Sequence, residues 1–307
     1  MTRAERRTAE SLLRLRLGQL IVNERYKRGD FKIPIHLALG HEAIAVAVDA
    51  AMGKDDKLVL SHRNVHYNLA RTNGLRAELA EYYLQEDGLA CGKSGSMNLA
   101  NPGRNVLYTS SILGNNLAVG SGIALAERVS ARDSVVFIVT GDGAMEEGSF
   151  YESLLLQRSN GLSVVTIIEN NQWSLGSMIE ERRAAIDVGK MAESLGASYT
   201  YLTGNDTFEY VAALSRIRDL AARQQTSVCV EVGLTTLGHR IMKTEDRPEG
   251  KFINYHAGAA PTMHLEHGPV IVESDEDPIH VLKEAVGARS FDGCVKKTMA
   301  FLNGEIT

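Results

Sequence analysis

The stretch Ser134 to Ser174, SVVFIVTGDGAMEEGSFYESLLLQRSNGLSVVTIIENNQWS, limits what the chain can fold into. It reads strand, tight glycine turn, helix, strand, polar turn. Val135 to Val139 is a β-branched and aromatic run that ends at Gly141-Asp142-Gly143. Phe150 to Arg158 carries helical spacing, and Val164 to Ile168 is a second apolar run, closed by Glu169-Asn170-Asn171. A βαβ unit brings the carboxyl ends of its two parallel strands to one edge of a sheet, the edge where open α/β sheets bind ligands. Asp142 and the Asn pair therefore converge in space. An acid, an amide oxygen and backbone carbonyls make a hard-oxygen site, which suits Mg²⁺ holding phosphate oxygens.

The rest of the chain continues the alternation. Residues 3–28 read as one amphipathic helix closed by Arg28-Gly29-Asp30, and Pro34 keeps Phe31 to Leu39 extended. Gly40-His41-Glu42 opens a small-residue helix. Lys57 to Leu60 is a strand ending in Ser61-His62-Arg63-Asn64-Val65-His66-Tyr67, which by itself reads as a solvated turn leading into a helix. Leu75 to Leu84 is helical, and Gly88 to Pro102 is a long loop, a length that points to function or disorder. Thr109 to Gly122 is a glycine-rich loop before a helix ALAERVS. Its Gly114, Gly120 and Gly122 fit a phosphate loop or close helix packing equally. Further on come a helix over 187–195, a strand over 199–202, a helix over 207–223 and a strand over 227–232. Met242 to Ser274 shows no periodicity and reads as a loop. A terminal helical tail spans about 277–302. The expectation is a single α/β domain over 1–307, a mainly parallel sheet flanked by helices, with an N-terminal helix at about 3–28.

Composition removes several classes. A net charge of −5 argues against a general nucleic-acid binder. No apolar run approaches the ~18 residues of a membrane span. Cys91, Cys229 and Cys294 form no metal or disulfide framework, so a reducing cytoplasm is the simplest home. The Arg-rich first residues could suit a transit peptide, but Glu5, Glu10 and the leucine spacing favour a structural helix.

GDGAMEEGSFYESL followed by IIENNQWSLGS resembles the thiamine-diphosphate motif. With GHEAIAVAVDAAM, GKSGSMNLANP, GNDTFEYVAAL, TLGHRI and DPIHVLK, nearly the whole chain is similar to the alpha subunits of thiamine-dependent 2-oxo acid dehydrogenases, those for pyruvate, branched-chain 2-oxo acids and acetoin. The resemblance implies a thiamine-diphosphate-binding fold and, residue by residue, a site. Asp142, the Asn171 side chain and the Trp173 carbonyl would hold Mg²⁺ on the diphosphate. Gly141 belongs to the same turn, and Gly143 and Ala144 would offer N–H groups to phosphate at a helix N-terminus. Arg63 would pair with the terminal phosphate, beside His62 where a tyrosine is usual. Ser111 and Leu113 would bind the aminopyrimidine through their backbone, and Leu175 would be the apolar wedge that bends the cofactor. His239 would lie near the diphosphate and the reacting carbon, and His66 is a candidate replacement for a family histidine.

The resemblance also implies a partner. The glutamate that activates the aminopyrimidine comes from a second domain, so this chain is expected to be the diphosphate-binding half, working with a transketolase-like beta subunit in an α₂β₂ assembly. The implied reaction decarboxylates a 2-oxo acid and transfers the acyl unit to a lipoyl group on an acyltransferase. Val65, Asn98 and Arg240 depart from the family's pattern near the substrate mouth. Those departures keep open a split transketolase or carboligase, and a non-catalytic regulatory subunit.

Overall fold

A computed structural model describes residues 1–306, the side chain of His267 excepted. Helix α1 (Arg3–Lys27) starts at a capping box: Thr2 Oγ1 accepts the Glu5 N–H at 3.2 Å, and the Glu5 carboxylate accepts the Thr2 N–H at 2.6 Å. Then follow α2 (Glu42–Ala51), β1 (Lys57–Ser61), α3 (Val65–Thr72), α4 (Arg76–Tyr82), β2 (Val106–Ser110), α5 (Asn115–Val129), β3 (Val136–Gly141), α6 (Gly148–Ser159) and β4 (Val164–Asn170). A small ribbon of β5 (Trp173–Ser174) and β6 (Ser177–Met178) leads to the single turn α7 (Ile179–Arg182), then α8 (Val188–Ser194), β7 (Ser198–Leu202), α9 (Thr207–Gln224) and β8 (Ser227–Gly233). The chain closes with the hairpin β9 (His239–Thr244) and β10 (Arg247–Asn254), then α10 (Pro278–Val286) and α11 (Ala288–Ile306).

Six strands form one sheet in the order β2-β1-β3-β4-β8-β7, and every pairing in it is parallel. The expected α/β architecture, a mainly parallel sheet between helices, is what the structure has. Alternation along β3 shows why. Phe137 and Val139 enter one buried cluster with α1, α2 and α9, while Val136 and Ile138 enter a second with α5 and α6. A strand buried on both faces must be apolar at consecutive positions, as the VVFIV run is.

The chain leaves β1 toward β2 on one side and returns to place β3 on the other. This reversal is a topological switch point, and a crevice opens there beyond the strands' carboxyl ends. The β3–β4 register sets Gly141 opposite Glu169, so Asp142 and Asn171 leave the sheet side by side.

Three expectations are corrected. Strand β2 begins in the gap between the two expected loops and takes Thr109 and Ser110 from the second, and α5 begins at Asn115, so Gly120 and Gly122 are helical. Gly120 is a close-packing glycine: a Cβ there would lie 2.6 Å from Ile138 Cδ1. The segment 242–274 contains most of the β9–β10 hairpin. Strand β9 is exposed along its length, so no apolar alternation marked it. The terminal helical tail, expected to end at about 302, runs on to Ile306. Among the described residues no helix is long and apolar enough to cross a membrane.

Candidate active site

At the switch point a cleft is lined from four strand ends. Asp142 and Gly141 come from β3, Glu169 and Asn171 from β4, His62 and Arg63 from β1, and Leu113 from the loop after β2. Gly143, Ala144, Trp173 and Leu175 complete the list of sequence-expected residues that the structure brings together here.

Asp142 is almost fully buried. Burial pushes its carboxyl up to about 6, against the pull of Arg182, whose Nη2 lies 2.8 Å from Oδ2. A buried acid only partly compensated by one guanidinium is a place that still favours cation charge. Asn171 is fixed by two bonds: its Nδ2 donates to Thr236 Oγ1 at 2.7 Å, and its Oδ1 accepts the Trp173 N–H at 3.0 Å. That turn places an amide oxygen and the β5 backbone beside Asp142.

Arg63 is buried at the opposite wall. Its guanidinium donates to the Leu37 carbonyl and, at 3.1 Å, to the His256 carbonyl. Among the described residues no carboxylate pairs with it, and burial pulls its pKa down. Leu175 stands in the left-handed backbone region at φ 53° and is 68% exposed. A leucine held at positive φ with its side chain in the open is strained and is not core packing.

Gly143 and Ala144 lie on a 3₁₀ turn, Asp142–Glu146, one turn ahead of α6; they are not at the helix N-terminus expected for them. Ala144 and Met145 of this turn are buried in the second core cluster.

Three expected residues fall outside the cleft. Ser111 is exposed, and its N–H is taken by Asn98 Oδ1 at 3.0 Å. His66 is fully buried on α3, turned beneath the sheet edge with Nε2 3.1 Å from Glu169 Oε1. His239 pairs with Asn254 in the exposed hairpin and stacks on Phe252, with ring centroids 5.1 Å apart.

The structure adds residues that sequence reasoning left unassigned. Glu169 accepts from Tyr67 OH at 2.8 Å, and His66 and His41 reach its two oxygens at 3.1 Å each. Burial alone would raise its pKa; the histidines and the hydrogen bonds hold it well below the usual carboxylate range. His41 Nε2 then meets Thr236 Oγ1 at 2.7 Å, which links this floor to Asn171. Glu169 adjoins the Asn pair in sequence, and that adjacency was its available signal. His256 lines the cleft from a segment read as featureless loop.

Residues 16–243 match the family model described as dehydrogenase E1 component. The chain is 31% identical over 224 residues to the pyruvate dehydrogenase E1 component subunit alpha of Rickettsia bellii, covering 73% of this chain and 68% of that one. The chain belongs to the dehydrogenase E1 component family. Rat somatic mitochondrial pyruvate dehydrogenase E1 subunit alpha is 30% identical over 179 residues, 58% of this chain and 45% of that one. The resemblance drawn from the Gly-Asp-Gly and Asn-Asn motifs, to alpha subunits of thiamine-diphosphate-dependent 2-oxo acid dehydrogenases, is borne out by these matches, and with it an enzyme subunit that uses thiamine diphosphate.

Transketolase from Campylobacter jejuni superposes with a TM-score of 0.61 over 95% of this E1-family chain at 15% identity. An R525L mutant of transketolase from Pichia stipitis gives 0.60 over 99% at 17% identity. The chain spans about half the length of these transketolases, 48% and 46%. At such identities the likeness shows the thiamine-diphosphate-binding fold alone.

Proposed function

We propose that this chain is the diphosphate-binding alpha subunit of a thiamine-diphosphate-dependent 2-oxo acid dehydrogenase, decarboxylating a 2-oxo acid and passing the acyl unit to a lipoyl acceptor. The observation that carries the reading is the convergence of Asp142, Asn171 and Trp173 with Arg63 and Leu175 at one switch-point cleft in an E1-family chain.

The residues present fit the cofactor. Asp142, the Asn171 amide oxygen and the Trp173 carbonyl are a hard-oxygen donor set of the kind Mg²⁺ accepts beside phosphate. Arg63 is a buried positive charge whose hydrogen-bond partners among the described residues are carbonyls, ready for an anion. When bound, thiamine diphosphate supplies the nucleophilic carbon and the electron sink for decarboxylation. The chain's own work is positioning. Asp142 and Asn171 would hold the metal, Arg63 would hold phosphate charge, Leu175 would be an apolar wedge against the cofactor, and the buried Glu169–His41–Thr236 chain keeps Asn171 oriented.

Among the described residues the one glutamate lining the cleft, Glu169, is held in its floor by three donors, so the acid that activates the cofactor is assigned to a beta subunit. An α₂β₂ assembly, a lipoyl acyltransferase partner and a cytoplasmic location belong to the same reading.

The test is co-expression with a transketolase-like beta chain and an artificial-acceptor assay across several 2-oxo acids, with calorimetry of cofactor binding. Turnover dependent on Mg²⁺ and thiamine diphosphate, lost together with binding in Asp142→Ala, is the expected result. Unaltered cofactor affinity in Asp142→Ala would show the metal assignment to be wrong, and no decarboxylation of any 2-oxo acid would sink the activity.

A further inference from the structure

Three histidines from distant parts of the chain meet at one wall of the cleft. His36 comes from the extended segment before α2, His62 follows β1 directly, and His256 lies just past β10. The His36 ring meets the other two edge-on, with centroids 4.9 Å from each, and the His62 and His256 centroids are 5.8 Å apart. One ring nitrogen from each lies within 4.8 Å of the others. We propose that His36, His62 and His256 form a three-nitrogen site for a borderline divalent transition metal such as Zn²⁺ or Co²⁺, with its remaining coordination position open to the cleft.

Four features support this. First, His36 is buried, and its Nδ1 has no hydrogen-bond partner. A buried polar atom without a partner asks for an explanation, and a ligand is one. Second, the spacing fits. Metal–nitrogen distances of about 2.0–2.1 Å in a tetrahedral site put the nitrogens roughly 3.3 Å apart. Small rotations of three rings already facing one another bring them from within 4.8 Å to that spacing. Third, the rings are in the ligand form. Burial, and after it the neighbouring Arg63 guanidinium, pulls His36 to about 2, His62 to about 3 and His256 to about 4. All three are therefore neutral near pH 7, and a metal displaces no proton from them. Fourth, His62 and His256 line the cleft while His36 stands behind them, so three protein ligands close one side and leave the other open. That is the arrangement of catalytic metal sites, where water or substrate fills the last position.

The donor set also separates this site from the Asp142 pole. Three imidazoles and no oxygen donor suit Zn²⁺, Co²⁺, Ni²⁺ or Fe²⁺ and do not suit Mg²⁺. No carboxylate belongs to the cluster, and Arg63 adds a positive charge beside it. The open position therefore favours an anionic oxygen, a hydroxide or a carboxylate. The metal site stands whether or not the proposed reaction does.

The test uses the full-length protein, stripped with chelator and then saturated with Mg²⁺ to fill hard-oxygen sites. Co²⁺ is titrated and read by its visible d–d absorption, and Zn²⁺ stoichiometry is measured by calorimetry. One ion per chain is expected, with a nitrogen-ligand spectrum that weakens by about tenfold or more in affinity in His36→Gln and in His256→Gln and survives in Asp142→Asn. Circular dichroism and a thermal melt establish that each variant is folded. His256, only partly buried, carries the test if the His36 variant does not fold. No Co²⁺ spectrum, full affinity in the folded histidine variants, or loss of binding in Asp142→Asn each overturns the proposal.

Discussion

Arg182 lies across Asp142. Its Nη2 is 2.8 Å from Asp142 Oδ2, and its other terminal nitrogen bonds the Glu146 carboxylate. Arg183 reaches the same Glu146 oxygen at 3.3 Å. The short turn α7 thus lays one guanidinium on the acid to which the proposed function assigns the metal. A cation arriving at Asp142 must share that carboxylate with Arg182 or displace it. Arg182→Gln is expected to tighten apparent Mg²⁺ affinity about tenfold, the ~1.4 kcal/mol of one charge-assisted hydrogen bond no longer lost. Calorimetric Mg²⁺ titration at fixed thiamine diphosphate reads this directly. Weaker Mg²⁺ binding in the variant would mean that Arg182 supports the bound state and does not compete with it.

Leu175 gives a second prediction. Its side chain is 68% exposed, so removing it forfeits almost no burial. Its φ of 53° is one that asparagine adopts more easily than leucine. Leu175→Asn should leave the urea midpoint of the free chain unchanged or slightly raised. Turnover with the beta subunit should fall about tenfold or more, ~1.4 kcal/mol of barrier, with cofactor affinity little changed. A stability loss of the kind core leucines show would identify Leu175 as packing.

Much of this site could be read in the sequence because its residues follow apolar runs. Asp142 and Asn171 each end a strand whose length and hydrophobicity announce it, and parallel pairing fixes where strand ends go. Arg63 belongs to the same edge for the same reason, whereas Leu113 follows β2, a strand that no apolar run announced, and was named from the resemblance alone. What could not be read depended on contacts between distant segments. His66 looked like a loop residue, yet the α3 turn folds it under β4 to reach Glu169. His239 sits in a hairpin whose exposed faces leave no periodic trace, and His256, emerging from the same hairpin, reaches the cleft in its place. The glycines of α5 had two readings, and only the Ile138 side chain pressed against Gly120 decides for packing.

Arg16 anchors α1 to the rest of the fold. It is fully buried, with Nε 2.7 Å from Glu42 Oε1, Nη2 2.9 Å from Asp277 Oδ1 and Nη1 2.8 Å from the Pro269 carbonyl. It ties α1 to the first turn of α2 and the cap of α10. Arg16→Met leaves two carboxylates buried without their cation, which costs about 3–5 kcal/mol. Urea denaturation should show that loss. A change under 1 kcal/mol would mean that water or another cation reaches Glu42 and Asp277 once the guanidinium is gone.

The histidine cluster makes the fold sensitive to acid. His36, His62 and His256 all have folded pKa values below their ordinary 6.5, with burial the main cause and Arg63 the next. Above pH 6.5 the rings are neutral in both folded and unfolded chains, and their contribution to stability is fully present. As pH falls below 6.5 the unfolded chain takes up protons that the native cluster refuses, so stability is lost progressively toward pH 4. The metal-free protein should therefore show a urea midpoint that drops steadily from pH 7 to pH 5. His36→Leu removes one refusing imidazole and should flatten that slope, even if it lowers the midpoint at pH 7. Parallel slopes for parent and variant would show that His36 takes up a proton in the native state and that the acid sensitivity lies elsewhere in the chain.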